Sequence, residues 1–509
     1  MARDGLSSDS VALDGLSLTP TQVTAVAREG RTVRLEEEAR ARNASAAAAL
    51  ARLVEDGTPL YGVTTGVGAL RSREVPEGER ADHQLRLLRS HACGAGRPLA
   101  PEEVRAAMVV RANQLGAGGA GVSDELLGAL VAAINAGFVP LTRQLGSLGT
   151  GDLSVLADIA LALLGEGRAR RGEQLVAANS ALAEAELLAP RLGPRDGLAF
   201  MSSNAATIGH AALIAVDADD LLDASLAIAA LSFTAAGADP TVLDPRVHGA
   251  RGHPGQVAIA ARMRELLGPD AARLRAPGAP RAIHDPYAFR ALAQVEGALF
   301  DSLRGLEAVL GRELNAAAEN ALIDPATSGA LPNANFHAGV LALALDRLRA
   351  ALAQSASLVA ARVSALLDPG LMGLPAALAA RPGRDSGAMM LEYTAHAAAA
   401  DVRLHAGPVA AQTTTVGGGL ESHASFAPLA ARRSAEALES AAVAASTELV
   451  VALRALRMRG LAPAGGEAGR LFAAAAERLD ADLSDRALGD DVEAARGLLA
   501  GRGRGHHGA

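Results

Sequence analysis

Residues 292–314 read LAQVEGALFDSLRGLEAVLGREL, and this stretch decides the fold class. Its large apolar residues recur at steps of three and four, which places them on one face of a helix. They are Leu292, Val295, Leu299, Leu303, Leu306, Leu310 and Leu314. Similar runs occupy residues 345–366 and 429–456. Helices of ~30 residues would each be about 45 Å long and would pack best side by side. We therefore predict an all-α fold with a long central helical bundle.

The apolar composition supports helices and subunit contacts. Half of the chain is hydrophobic, but only 2% is aromatic, so alanine, leucine and valine supply the core, which favours helices over sheets. The longest apolar stretch, residues 224–238, is shorter than the roughly 20 residues that cross a membrane. We predict a helix that is buried on all sides, no membrane partner, and an oligomer that hides apolar surface.

The charged residues exclude several classes of protein. All 48 positively charged side chains counted as Lys or Arg are arginine. A lysine Schiff base, as in pyridoxal phosphate enzymes, and a P-loop lysine are therefore both excluded. The formal net charge of −8 argues against nucleic acid as a partner.

Composition along the chain suggests compartment and organisation. The single cysteine, Cys93, rules out an intrachain disulfide, and the N-terminal MARDGLSSDS has no apolar signal region, so we expect a cytoplasmic protein.

We expect the chain to be organised in three consecutive regions. Residues 1–200 alternate helices with glycine-rich loops, residues 201–480 hold the long helices, and residues 481–509 form a C-terminal helix and a disordered tail.

The chain has three tyrosines, and two of them lie beside glycine or charged residues. Tyr61 opens YGVTTGVG, and Tyr287 precedes Arg290 by three residues in HDPYAFR, so that they share a helix face if the helix has begun. A guanidinium that holds a carboxylate beside a phenol that moves a proton would suit catalysis. The structural alternative is a tyrosine at a helix start with a surface arginine.

The loop GSLGTGD, residues 146–152, has two interpretations. Thr150 or Asp152 is a suitable cap for a following helix. Alternatively, the Gly151 nitrogen attacks the Gly149 carbonyl and Thr150 loses its hydroxyl as water, which gives an electrophilic ring in a compressed turn. The loop lacks the lysine and spacing of a phosphate cradle, and no HExxH metal motif occurs, so we expect no metal site.

Eight segments in register resemble the histidine and phenylalanine ammonia-lyase family across nearly the whole chain. They are YGVTTGVG, SHACGAG, GSLGTGDLSVLADIALALLGEG, DGLAFMSSN, HDPYAFRALAQVEG, RELNAAAENALI, NANFHAG and GGGLESH. The resemblance implies an all-helical homotetramer with sites shared between three subunits. It also implies a self-made methylidene-imidazolone (MIO) group, here from Gly149, Thr150 and Gly151, and a small amino-acid-like substrate.

The resemblance also implies roles for single residues. Tyr61 would take the β-proton, Arg290 would bind the substrate carboxylate, and Tyr287, Asn320 and Phe336 would lie beside the electrophile. Glu421 and His91 are similar to residues of histidine-selective members, which meet the imidazole and amino groups.

Two departures from the family pattern concern the electrophile. The usual loop has alanine, serine and glycine before the aspartate, whereas this loop is one residue shorter, with Thr150 for the serine and Gly149 for the alanine. The family's polarising asparagine matches Ser202, although Asn204 lies two residues further on.

Three hypotheses remain open from the sequence. The chain is a carbon–nitrogen lyase or aminomutase with an MIO-like group, acting on a carboxylate-bearing amino acid or a derivative. Alternatively, it has no electrophile and uses Tyr61, Tyr287 and Glu421 for elimination, amine addition or cyclisation in specialised metabolism. The third hypothesis is a non-catalytic binding relative.

Overall fold

The computed structural model describes residues 10–268, 284–463 and 465–506 of the chain. Helices make up 62% of it, so the prediction of an all-α, ammonia-lyase-like fold is confirmed. The helices are α1 Pro20–Glu29, α2 Glu37–Glu55, α3 Arg80–His91, α4 Pro101–Ala117, α5 Asp124–Asn135, α6 Leu153–Leu163, α7 Ala178–Glu184, α8 Asp196–Met201, α9 Ala205–Ala236, α10 Pro245–Gly249, α11 Pro254–Leu267, α12 Tyr287–Arg290, α13 Leu292–Glu313, α14 Gly339–Leu367, α15 Pro369–Met372, α16 Met389–His405, α17 Ala427–Arg459, α18 Gly466–Arg478 and α19 Gly489–His506.

Short strands connect the helices. They are β1 Val11–Leu13, β2 Val33–Leu35, β3 Ala95–Pro98, β4 Val139–Pro140, β5 Arg143–Leu145, β6 Arg168–Arg171, β7 Gln174–Ala177, β8 Leu322–Asp324 and β9 Gly329–Leu331. They form β1–β2, β3–β5, β4–β6–β7 and β8–β9 sheets, of which β1–β2 is parallel. The β3–β5 pair is antiparallel and leads directly into the glycine-rich loop 146–152.

The chain divides into two compact units that interleave along the sequence. One comprises Met1–Val216, Glu307–Leu345 and Pro408–Ala431, and the other comprises Asp217–Leu306, Asp346–Gly407 and Arg432–Ala509. Four of the five boundaries fall inside long helices, and the units do not follow the three consecutive regions expected from composition. The predicted C-terminal helix is present, but it runs to His506, so residues 501–506 are helical rather than a disordered tail. Residues 507–509 lie outside the described residues.

Buried polar residues join the long helices of the second unit. Arg362 of α14 donates to both carboxylate oxygens of Glu448 in α17, at 2.7 and 2.9 Å, and both side chains are fully buried. Ser232 of α9 donates to the same carboxylate at 2.7 Å. The bidentate geometry offsets part of the free-energy cost of desolvating the two charges. These contacts therefore link three of the helices that the apolar pattern predicted.

The apolar stretch 224–238 lies within and just beyond α9 and is largely buried, as predicted. By length and composition, α14 is the one helix among the described residues that would suffice to cross a membrane, with 61% of its most apolar window buried. Core helices meet the same criteria, so this is weak evidence for a span.

Candidate active site

The loop 146–152 lies between β5 and α6, in the first unit. Gly149 and Gly151 have φ values of +81° and +105°, which favour glycine, and Gly149 is buried while Thr150 is half-buried. This is the loop that the sequence predicts as a candidate site. Three segments that are distant from it along the chain form hydrogen bonds with it.

The carbonyl of Gly149 is clamped by two of these segments. The Ser425 hydroxyl donates to it at 2.8 Å, and the Ala338 amide donates at 3.2 Å. The Phe426 amide donates to the preceding carbonyl, that of Leu148, at 2.8 Å. The residues before α14 and α17 therefore fix the backbone of the loop.

Thr150 and Gly151 have partners of their own. The Thr150 hydroxyl donates to Glu421 Oε2 at 3.2 Å, and the Gly151 amide donates to Asn204 Oδ1 at 3.0 Å. Asn204 also donates through Nδ2 to the carbonyl of Phe336. The structure thus brings together four of the candidate site residues, Thr150, Glu421, Asn204 and Phe336. Ser202 is buried at the end of α8, and these contacts do not include it.

Asp152 ends the loop and caps the start of α9. Its carboxylate accepts from the amide of Thr207 at 2.7 Å and from the Thr207 hydroxyl at 2.9 Å. Ser147 donates to the same carboxylate at 2.7 Å. Burial raises the pKa of the Asp152 carboxyl, although these hydrogen bonds oppose the shift. A carboxylate at a helix N-terminus also compensates the helix dipole, so Asp152 anchors the loop.

A pair of histidines stands on the two clamping segments. His337 Nε2 and His423 Nδ1 are 2.9 Å apart, so one ring nitrogen donates and the other accepts. His337 adjoins Phe336 and Ala338, and His423 lies between Glu421 and Ser425. A hydrogen bond between two imidazoles is suited to acid–base chemistry.

Tyr61 lies in a neighbouring loop of the same unit. Its hydroxyl oxygen accepts from the Gly68 amide at 2.9 Å, which orients the ring and does not use the phenolic proton. The turn Gly68–Leu70 packs against the turn Gly417–Gly419, which precedes Glu421. The Tyr61 loop therefore neighbours the segment that carries Glu421.

The sequence placed His91 and Asn320 in the site, and their hydrogen bonds are to residues outside the loop 146–152. His91 ends α3, and its Nδ1 lies 2.8 Å from the Leu87 carbonyl and 3.1 Å from the Ser90 hydroxyl oxygen. Asn320 Oδ1 accepts from the Asn333 amide at 3.2 Å, at the start of the segment that reaches Phe336. Asn320 thereby positions this segment.

Tyr287 and Arg290 belong to the second unit and pair with each other. They form the short helix α12, and the Arg290 guanidinium carbon lies 4.6 Å from the centre of the Tyr287 ring. The prediction that they share a face is confirmed. Tyr287 is 69% exposed within the chain, whereas Arg290 is half-buried.

Gly149 has no room for a side chain. A Cβ there would lie 2.1 Å from Ser425 Oγ and 2.9 Å from the Ala427 nitrogen. We expect Gly149→Ala to lower the free energy of unfolding by at least about 2 kcal/mol, through the positive φ and the clash. Gly172→Ala is the matched control, because Gly172 also has positive φ and nothing lies within 4 Å of its Cβ position. Chemical denaturation followed by circular dichroism should show a larger loss for Gly149. Equal losses would contradict the clamp.

Asp158 of α6 gives the first unit a dependence on pH. Burial raises the pKa of its carboxyl to about 6, against the opposing effect of Arg143. The native state therefore holds this proton between about pH 4 and 6 while the unfolded state has lost it, so the stability falls as pH rises through this range. We expect Asp158→Asn to be more stable than the unsubstituted chain by about 1 kcal/mol at pH 8, with the gain absent below pH 4. Melting midpoints with the same offset at both pH values would contradict this.

No group of three or more His, Cys, Asp or Glu side chains is arranged to hold a metal ion within the described ranges. The polar groups around Thr150 instead suit the binding of a small polar molecule and proton transfer.

Comparison with known proteins identifies the family to which this arrangement belongs. The family model for aromatic amino acid lyases matches residues 18–478. The chain belongs to the aromatic amino acid lyase family. It is a carbon–nitrogen lyase of the ammonia-lyase type, and the predicted resemblance is confirmed.

Individual relatives of this lyase share its full length. It is 36% identical to histidine ammonia-lyase from Symbiobacterium thermophilum, over 95% of this chain and 96% of that protein. Among solved structures, ergothionase from Treponema denticola, described as an ergothioneine-degrading enzyme, is 28% identical with a TM-score of 0.92, over 97% of this chain and 99% of that one. Histidine ammonia-lyase from Trypanosoma cruzi is 29% identical with a TM-score of 0.89, over 97% of this chain and 93% of that one.

Sequence reasoning did not assign Ser425 or the histidine pair to the site. Ser425 lies two residues after the segment GGGLESH, but a serine without a motif gives no signal by itself. The residue that could have indicated this contact is Gly149, because the family pattern has alanine at that position. The space that an alanine methyl group would need is occupied by the Ser425 hydroxyl.

Proposed function

We propose that this lyase eliminates an amine from an amino acid that carries an imidazole ring. The observation that carries the proposal is the hydrogen bond between Thr150 and Glu421, with the histidine pair on the adjoining segments. A half-buried carboxylate is a suitable acceptor for an imidazole N–H. The proteins to which the chain is similar include histidine ammonia-lyases and an ergothioneine-degrading enzyme, which supports the same substrate class.

The proton transfers can be assigned to residues of the chain. Tyr61 removes the proton from the carbon next to the ring, the bond between the α-carbon and nitrogen breaks, and a double bond forms between the two carbons. Glu421 binds the imidazole N–H and holds the ring in place. The products are an α,β-unsaturated imidazole carboxylate and an amine.

The substrate carboxylate requires a positively charged partner, and we assign this role to Arg290. The family resemblance implies sites that are shared between subunits, so we propose a homotetramer in which Tyr287 and Arg290 reach the site through assembly. Light scattering should give four times the chain mass of 51.4 kDa. A monomer with full activity would overturn this part. We also propose a cytoplasmic enzyme, which cell fractionation would test.

Turnover of a panel of substrates tests the function. The purified chain is incubated with imidazole, phenyl and phenol amino acids, each as the free amine and as the Nα-trimethyl derivative. Release of the amine and absorbance of the conjugated acid are both followed. We expect product from an imidazole substrate and at least about tenfold less from the others. Absence of product from every imidazole substrate would overturn the proposal.

A further inference from the structure

Formation of an MIO group would remove three hydrogen-bonding groups from the loop. The Gly151 nitrogen would bond to the Gly149 carbonyl carbon, and the Gly149 oxygen would leave as water with protons that include the Gly151 N–H. A second water would take the Thr150 hydroxyl and its α-proton. Ring closure therefore removes the Gly149 oxygen, the Gly151 N–H and the Thr150 hydroxyl.

Each of these groups has a partner in this structure. The Gly149 oxygen accepts from Ser425 and Ala338, and the Gly151 N–H donates to Asn204. These three partners are 2%, 1% and 3% exposed, so water cannot readily replace what ring closure removes. The Thr150 hydroxyl in turn donates to Glu421. Cyclisation would remove one hydrogen bond each from the Ser425 hydroxyl, the Ala338 amide and Asn204 Oδ1, all of which are buried, and this is unfavourable.

Further polar groups of the loop are paired in the open peptide. The Gly149 amide donates to the Ser147 hydroxyl oxygen at 3.3 Å, and that hydroxyl lies 3.1 Å from the Gly151 oxygen. The Asp152 amide donates to the Ser203 carbonyl at 2.7 Å. Ring closure would therefore gain none of these hydrogen bonds, because the open loop already makes them. The residues present do not fit the MIO group.

We infer that Gly149, Thr150 and Gly151 remain an ordinary peptide, and that the substrate is a betaine whose α-nitrogen is a trialkylammonium group. The inference rests on the proposed elimination at this site. Without the ring, the loop 146–152 offers no electrophile that could bond to the substrate and activate the leaving nitrogen. The substrate must therefore bring an amine that leaves unaided.

Nitrogen chemistry selects the trialkylammonium group. A base strong enough to remove a proton from carbon first removes one from a primary ammonium group, which leaves a neutral amine that departs poorly. A quaternary nitrogen has no proton to lose and keeps its positive charge. As Tyr61 takes the β-proton, the carbon–hydrogen electron pair becomes the double bond. The carbon–nitrogen pair then leaves with the neutral tertiary amine, so no oxidant or further reactant is needed.

The mass of the loop and the choice of substrate test the inference together. Trypsin releases the peptide Gln144–Arg168, which contains the whole loop. We expect its mass to equal the sequence mass in the purified full-length protein. We also expect kcat/KM for Nα-trimethylhistidine to exceed that for histidine by about 100-fold or more.

The outcomes separate the inference from the proposed function. A peptide lighter by two waters, ~36 Da, would overturn the open loop. An unmodified peptide with comparable turnover of histidine would overturn the betaine substrate and leave the elimination standing. An unmodified peptide with no product from either imidazole compound would overturn the proposed function, and with it the betaine substrate.

Discussion

Tyr61→Phe is expected to lower kcat by about 10²- to 10⁴-fold, the usual contribution of a positioned general base. The variant keeps the ring and its packing, and it loses the hydroxyl that accepts from the Gly68 amide at 2.9 Å. The loss of that single hydrogen bond should cost only about 1 kcal/mol of stability. Steady-state kinetics on the best imidazole substrate would measure the effect, with circular dichroism to confirm folding.

Tyr393→Phe is the matched control for this experiment. Tyr393 lies in α16, in the other unit, and is 62% exposed. Its kcat should stay within about twofold of the unsubstituted enzyme, since surface substitutions rarely perturb a site. Full turnover by Tyr61→Phe would show that another group removes the β-proton, and His337 and His423 would then be the next candidates.

Glu319→Ala is expected to be the most destabilising substitution in the first unit. Glu319 pairs with Arg111 at 2.7 Å, and both side chains are fully buried. Arg111 also donates to the carbonyls of Phe200 and Ala199, so the guanidinium cannot move to water. Removal of the carboxylate leaves an uncompensated buried charge and should cost about 3–5 kcal/mol.

An exposed ion pair provides the control for Glu319. Arg171 and Glu184 are 3.3 Å apart with side chains 53% and 60% exposed, so Glu184→Ala should change stability by less than about 1 kcal/mol. Urea denaturation followed by circular dichroism would compare the two variants. A similar midpoint shift for both would mean that the buried pair does not hold this part of the fold. Because the Glu319 carbonyl also accepts from Asn333 at 2.7 Å, loss of the pair should disturb the segment that reaches Phe336.

The sequence predicts the helices well because their signal is local. The apolar steps from Leu292 to Leu310 mark α13, and this face is buried as expected. The proximity of Tyr287 and Arg290 follows from the same helical geometry. The division into units could not be predicted this way, because α9, α13, α14 and α17 each cross a unit boundary without any change of composition.

The clamp around Gly149 lies beyond sequence reasoning for a physical reason. Ser425 follows Gly149 by 276 positions, and no pattern links a serine to a carbonyl so far away. The sequence likewise could not show whether Ser202 or Asn204 binds Gly151. The backbone turn after α8 decides which of the two side chains reaches the Gly151 amide. The family resemblance indicated which residues are candidates for the site. The hydrogen bonds of the structure show which of these residues contact the loop.

Electron density at residues 149–151 in a crystal of the purified enzyme tests the central claim most directly. The open loop predicts an intact Thr150 side chain with its hydroxyl near Glu421, and a Gly149 carbonyl oxygen about 2.8 Å from Ser425 Oγ. A planar five-membered ring, with the Gly149 oxygen and the Thr150 hydroxyl both gone, would contradict it.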